Sequence, residues 1–175
     1  MTETDRSVHL QAWHALLRAQ AGVAGNLERE LMAAEGLPLA WFEVLLVLDQ
    51  ASDGALRLQR LMDTVLMTKS GVSRLVDRME AAGLVVRSGC PSDRRGAFAV
   101  ITELGREKLH RATPIHSGGI ERHLGKVLDA EEAARLRDAL SAVADALGSE
   151  AVFAGCTGVD AENHANADPE GGDHI

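Results

Sequence analysis

The stretch from Lys69 to Gly83, KSGVSRLVDRMEAAG, constrains this chain more than any other. Val72, Leu75, Val76 and Met79 recur at i, i+3, i+4 and i+7, the spacing of one helical stripe, so they face inward. Ser70, Ser73, Arg74 and Asp77 fall on the opposite side, with Arg78 flanking. Thr68 stands where an N-cap hydroxyl belongs, and Gly83 where a left-handed residue ends the helix. Two short β-prone runs follow, LVVRSG and AFAVIT, around the polar turn CPSDRRG, which reads as a hairpin. Upstream, Ser52-Asp53-Gly54 is a turn, and Leu58, Leu61, Met62 and Val65 share one face of a short helix. A short helix, a tight turn, a helix with a polar outer face and a basic-tipped hairpin together predict a winged helix-turn-helix.

The rest of the chain reads as helical. Aromatic residues make up only 3% and Tyr is absent, so Leu, Ala and Val must do the packing, which favours helices. In residues 8–34, Leu10, Trp13, Leu17, Ala21, Ala24, Leu27 and Leu31 form a seam of threes and fours suited to a partner helix. Gly36-Leu37-Pro38 breaks the chain, and Pro38 opens LAWFEVLLVLD, apolar on nearly every side and therefore deeply buried. Thr102 opens a further helix that is expected to be interrupted at Pro114 and to resume as IHSGGIERHLGKVL. Asp129 and Glu132 make a capping pair for a last helix with Leu136, Leu140, Val143 and Leu147 on one face. The expected fold is mainly α with a small β-hairpin wing. Residues 1–149 form one domain: a DNA-binding lobe at about 55–102, flanked by helices at about 8–34 and 103–148. The small, polar, acidic residues 150–175 are expected to be a disordered tail.

Net charge is −8, which at first argues against a nucleic-acid partner. The distribution argues the other way: residues 55–111 hold eleven Lys/Arg against six Asp/Glu, a balance of +5. A basic island in an acidic chain is the footprint of a polyanion-binding surface, although clustering on a solvated face gives the same count. The major groove accepts one helix, read by side chains of its first turns, here Lys69, Ser70, Ser73 and Arg74. The helix N-terminus with Thr68 suits phosphate, and Arg94 and Arg95 at the hairpin tip suit the narrow minor groove.

Other classes find little support. The sequence contains no glycine-rich phosphate loop, GxSxG, HExxH or paired-carboxylate motif, so it is not expected to be an enzyme. Cys90 and Cys156 lack metal-ligand spacing, and His116 and His123, seven apart, lack further ligands; neither cofactor nor metal is expected. The apolar runs are too short to span a bilayer, and the polar start MTETDRSVHL is unlike a signal peptide, so a cytoplasmic location and no membrane partner are expected.

At this level of detail the sequence resembles a known family. TKSGVSRLVDRMEAAGLVVR followed by SDRRGAFAVITELG is similar to the MarR family of bacterial regulators. The family's wing pattern is Asp-x-Arg, a few β residues, then Leu-Thr and Gly. Here it falls on Asp93, Arg95, Ile101-Thr102 and Gly105, with Ile in place of Leu. The likeness covers roughly residues 8–148 and is densest from 58 to 105; ATPIHSGGIERHL and the last helix resemble the family's dimerisation arm. The resemblance implies a triangular homodimer whose first and last two helices interlock. Its recognition helices would address half-sites of pseudo-palindromic double-stranded DNA about one turn, ~34 Å, apart. Arg95 would enter the minor groove, and Asp93 would brace an arginine near the wing base. The implied activity is that of a repressor released by a small aromatic or anionic effector, by oxidation or by metal.

A ligand cleft between dimer arm and DNA lobe would involve Trp13, His14 and Trp41; core packing accounts for the same aromatics. Cys90 lies at the start of the wing turn, where oxidation would disturb DNA contact, or where it serves simply as a small β residue. The family's peroxide-sensing branch carries its cysteine early in the first helix, and here none precedes residue 90. A winged-helix protein–protein module without DNA binding is a further reading, against which Arg74, Arg94 and Arg95 argue.

Overall fold

A computed structural model describes residues 3–51, 53–65, 69–90 and 93–148, with side chains for all of these except 3–5, 63–64, 69, 90 and 93–96. The tail with Cys156, together with Thr68, therefore lies outside the described residues. The chain runs α1 (Glu3–Glu35), α2 (Leu39–Gln50), β1 (Ala55–Arg57), α3 (Leu58–Thr64), α4 (Lys69–Ala81), β2 (Val85–Cys90), β3 (Asp93–Ile101), α5 (Glu103–His123) and α6 (Ala130–Ala146).

The apolar helix α2 is the centre of the core. Phe42, Val44, Leu45, Val47 and Leu48 are all buried. Its start is built by the break that the sequence signals. Gly36 adopts φ +59°, and its N–H donates to the Met32 carbonyl at 3.0 Å, closing α1 with a left-handed cap. Leu37 then drops into the core, and Pro38 caps α2, its carbonyl accepting from the N–H groups of Trp41 and Phe42 at 2.9 and 3.0 Å. The Glu28 carboxylate accepts the Leu39 N–H at 2.5 Å, so α1 satisfies an orphan donor of α2. The two helices turn through 83° at this point.

In α4, Val72, Leu75, Val76 and Met79 are buried, as the spacing predicts. Gly83 has φ +73°; its N–H donates to the Glu80 carbonyl at 2.9 Å and the Leu84 N–H to the Met79 carbonyl at 3.0 Å. That pair of bonds ends the helix sharply and aims the chain into β2. The expected hairpin is present, with β2 antiparallel to β3. A third strand, β1, joins its other side in the order β1-β3-β2, pairing Leu56 with Ala99. Three residues are too few for a two-residue alternation to show, so the sequence alone does not reveal this strand.

The helix α5 differs from expectation. It runs unbroken through Pro114. Proline removes one N–H, but Leu109, Ala112 and Gly119 are buried on either side of it and hold the helix in place. A Cβ on Gly119 would come within 2.5 Å of Leu27 Cδ2, so α1 and α5 touch closely just past the proline. Nearby hydroxyls bond back to the helix: Thr113 donates to the Leu109 carbonyl at 2.8 Å and Ser117 to the Thr113 carbonyl at 3.0 Å. His116 stacks on Phe42 with ring centroids 4.4 Å apart, and burial pushes its pKa below the ordinary value.

The capping box of α6 is formed as expected. Glu132 N–H donates to Asp129 Oδ1 at 2.8 Å, and Asp129 N–H to Glu132 Oε2 at 3.0 Å. None of its residues is buried. Leu136, Leu140, Val143 and Leu147 are exposed, as are Val8, Leu10, Trp13, Leu16 and Leu17 on the first half of α1.

The wing joins the arm at a tight junction. Thr102 caps α5, accepting the Gly105 N–H at 3.0 Å, while its own hydroxyl donates to the Gly83 carbonyl at 2.7 Å. A Cβ on Gly105 would lie 2.2 Å from the Leu84 carbonyl oxygen and 2.9 Å from Ile101 Cγ1. Backbone cannot yield as a flexible side chain does. Gly105→Ala is therefore expected to destabilise the chain by about 2–3 kcal/mol, read as a lower urea midpoint at constant m-value. A midpoint equal to wild type would contradict this packing.

Candidate nucleic-acid interface

Two stripes make up the outer surface of α4. Arg74 and Arg78, four residues apart, lie on one; both are exposed, and among the described residues neither has an acidic partner. Ser70, Ser73 and Asp77 lie on the other, which faces the wing. Ser70 and Asp77 are exposed, whereas Ser73 is half-buried. Lys69 begins the helix, and its side chain lies outside the described residues. The same holds for the side chains of Cys90, Asp93, Arg94 and Arg95; for the latter three only the backbone is described, as the first part of β3. The structure thus brings Ser70, Ser73, Arg74 and Arg78 onto one helix beside the wing hairpin.

The sequence reading does not single out Arg87, and the structure does. From β2 its Nη2 donates to the Ser73 carbonyl at 3.0 Å, to Ser73 Oγ at 3.2 Å and to Asp77 Oδ1 at 2.5 Å. Its backbone N–H donates to Glu80 Oε1 at 2.8 Å, and its Nε lies 3.7 Å from Glu80 Oε2. A basic residue in a β run after a helix bearing two acids is the only signal in the sequence, and it is weak.

The basic island is not uniformly free to meet a polyanion. Arg106 pairs with Asp49 of α2. Lys108 and Arg111 both pair with Glu35, at 3.3 and 3.1 Å, where α1 ends. The hydrogen bond from Arg111, helped by Lys108, holds the Glu35 carboxyl below its ordinary pKa. Among the described side chains Arg87, Arg106, Lys108 and Arg111 thus pair with carboxylates inside the fold, whereas Arg74 and Arg78 are exposed.

Of the three residues expected near a ligand, Trp41 lines a hollow among the described residues. About 240 Å³ in volume, it lies between the α1–α2 turn, the α4–β2 turn and α5, with Leu37, Leu84 and Leu104 as apolar walls and Lys108 and Arg111 on its lining. Trp13, 54% exposed, and His14 stand on the open part of α1, outside it. A second, apolar hollow of about 400 Å³ separates the end of α5 from α6, lined by Ile120, Leu124, Leu128, Leu136 and Leu140 among others. The two histidines considered for a metal sit apart: His116 on Phe42, and His123 with Nε2 2.8 Å from Glu30 Oε1. Among the described residues no group of three His, Cys, Asp or Glu could hold a metal ion, and no single helix is long and apolar enough to cross a membrane.

A short helix, a tight connection, a helix with two exposed arginines on its outer face and a three-stranded sheet with a hairpin define a winged helix-turn-helix DNA-binding protein. The model of the MarR family matches residues 35–96. The chain is 31% identical over 129 residues to the HTH-type transcriptional regulator MhqR of Bacillus subtilis (strain 168), covering 74% of this chain and 85% of that protein. It superimposes on AbsC, a MarR family transcriptional regulator from Streptomyces coelicolor, with a TM-score of 0.72 and 32% identity, over 85% of this chain and 97% of AbsC. Sco3205, a MarR family transcriptional regulator from Streptomyces coelicolor solved in complex with DNA, superimposes with a TM-score of 0.73 and 30% identity, over 84% and 89% of the two chains. The chain belongs to the MarR family of DNA-binding transcriptional regulators.

The contrast between free and paired cations gives a direct expectation. Arg74→Ala should lower affinity for a preferred duplex by about 1–3 kcal/mol, concentrated at one base position. Arg106→Gln should leave base preference unaltered. Competition binding against duplexes mutated one base pair at a time checks both; an equal loss on every sequence after Arg74→Ala would rule out base reading by Arg74.

Proposed function

We propose that this chain is a cytoplasmic repressor that binds a pseudo-palindromic operator as a homodimer and is released by a small aromatic or anionic effector. The observation that carries the DNA half of this reading is the pair of exposed arginines on the outer face of α4, beside the wing and without acidic partners among the described residues. In this reading α4 enters the major groove, with Lys69, Ser70, Ser73 and Arg74 toward base edges and Arg78 toward the backbone. Thr68 and the helix N-terminus take a phosphate, and Arg94 and Arg95 of the wing take the minor groove. Asp93 braces an arginine near the wing base.

Dimerisation is supported by the apolar residues that one copy leaves in water. Val8, Leu10, Trp13, Leu16 and Leu17 of α1 and Leu136, Leu140, Val143 and Leu147 of α6 are all exposed. So many exposed large apolar side chains along two helices are unusual for a monomer and suit a second copy. Residues 1–149 act as one unit in this account, with 150–175 as an acidic appendage. The protein performs no reaction of its own; regulation proceeds through binding alone.

The hollow beside Trp41 suits the effector. An aromatic ring can lie against Trp41 and the leucines while a carboxylate meets Lys108 and Arg111, in place of Glu35. Leu84, which follows the end of α4, lines the same hollow, so a guest there bears directly on the reading helix. The effector acts by favouring the conformer whose two reading helices are wrongly spaced for DNA. A tenfold loss of DNA affinity needs only about 1.4 kcal/mol of such preference. Titration with salicylate-like carboxylates is expected to change Trp fluorescence, Trp41→Phe to abolish most of that change, and operator DNA to weaken the carboxylate by the same factor as the carboxylate weakens DNA. Fluorescence changes without any change in operator affinity would refute the effector role of the hollow.

A further inference from the structure

Arg87 belongs to the wing by sequence and to the reading helix by contact. Its partners Ser73, Asp77 and Glu80 lie at i, i+4 and i+7 on α4, so one side chain grips two turns of the stripe that faces the wing. The backbone of the same residue is also tied to α4, through Glu80. Arginine carries donors only, so Ser73 Oγ must be the acceptor in their 3.2 Å contact, which leaves the serine hydrogen to point elsewhere. The Arg87 side chain is 28% exposed, whereas Asp77 is 60% exposed. The cation is thus half-covered, with Nη2 and Nε toward α4, while the carboxylate it neutralises lies on the surface.

That placement bears on DNA binding. Asp77 and Glu80 put two negative charges on a helix that must come close to phosphates. Uncompensated, they repel a duplex well within one Debye length, ~8 Å in physiological salt. The core stripe of α4 is held by Val72, Leu75, Val76 and Met79 without help from Arg87, and ion pairs this exposed add little to folding.

We propose that Arg87 is a positioning residue for DNA recognition: it fixes the wing and the reading helix at one mutual angle and offsets part of the negative charge of Asp77 and Glu80, without itself touching DNA. The proposal rests on α4 being the helix that enters the groove. Because Arg87 makes no phosphate contact, its removal acts on DNA only through the carboxylate it uncovers, a repulsion that salt screens. The slope of log affinity against log salt therefore falls by only a fraction of the ~0.9 that loss of each direct phosphate contact removes.

The test uses the full chain and a duplex selected by the wild-type protein from a random pool. Affinity is measured across a salt series for wild type, Arg87→Gln, Arg87→Lys, Arg87→Gln with Asp77→Asn, and Arg74→Ala. Arg87→Gln is expected to melt near wild type, to bind about tenfold more weakly, and to lose well under ~0.9 of salt slope per protomer. Adding Asp77→Asn should recover much of the loss, because it removes the carboxylate left unpaired. Should Arg87→Gln melt far below wild type, Arg87→Lys carries the test. It keeps the charge and loses the fork, so a smaller loss at unchanged slope is expected. Unaltered affinity in both Arg87 variants, or a slope reduced by about one per protomer, would overturn the proposal. If Arg74→Ala also leaves affinity unaltered, the assignment of α4 as the reading helix fails. If Arg74→Ala weakens binding and the Arg87 variants do not, the positioning role alone fails.

Discussion

Burial of α2 is the constraint on which the rest of the structure depends. Five of its residues, Phe42, Val44, Leu45, Val47 and Leu48, are removed from water, and each contributes about 1.5–3 kcal/mol through its apolar surface. Among the described residues no other helix is apolar on so many sides, and the others pack around it. The end of α1 supplies Leu31, α5 lays Leu109 and Ala112 on it, and α4 brings its stripe from Val72 to Met79 into the same cluster, with Ala99 and Ile101 from the sheet. Charged residues on α2 are displaced to its margins. Asp49 meets Arg106 at one end, and Glu43, half-buried, has its carboxyl pushed above the ordinary pKa by burial and by the charge of Glu28.

That core fixes the electrostatics of the surface. Where α1 and α5 meet, carboxylates of α1 hold cations of α5: Glu35 takes Lys108 and Arg111, and Glu30, which also contacts His123 Nε2, takes Arg122. These cations are neutralised within the arm. On α4 the opposite arrangement holds. Its arginines are left open, and its acids are met from the wing by Arg87. A chain of net charge −8 can therefore present a positive face, because internal pairing neutralises its basic residues selectively. The hollow beside Trp41 lies where the two regimes meet, between paired cations on α5 and the turn that ends α4.

Much of this was legible in the sequence because it is local. The inward stripe of α4, the left-handed Gly83, the hairpin and the Asp129–Glu132 capping box all follow from spacings of a few residues, and each is present. What escaped depends on distant partners. β1 is a strand only because β3 offers it a ladder, and α5 survives Pro114 only because α1 and α2 pack on it. The pairing of Arg87 with Asp77 spans ten residues and a turn, and no periodicity predicts it. The aromatics show the same limit. An apolar spacing marks Trp13 and Trp41 alike as candidates for contact, yet Trp41 borders a hollow within one copy while Trp13 faces outward on α1.

The central claim is that two copies of α4, held by one apolar arm, read two half-sites of a duplex. Hydroxyl-radical footprinting of both strands on a selected operator tests it most directly. The account predicts two protected sets related by a two-fold axis, centred about 10–10.5 base pairs apart or a multiple of that, appearing together as protein is added. A single protected set, or two sets that fill independently at different protein concentrations, would contradict it.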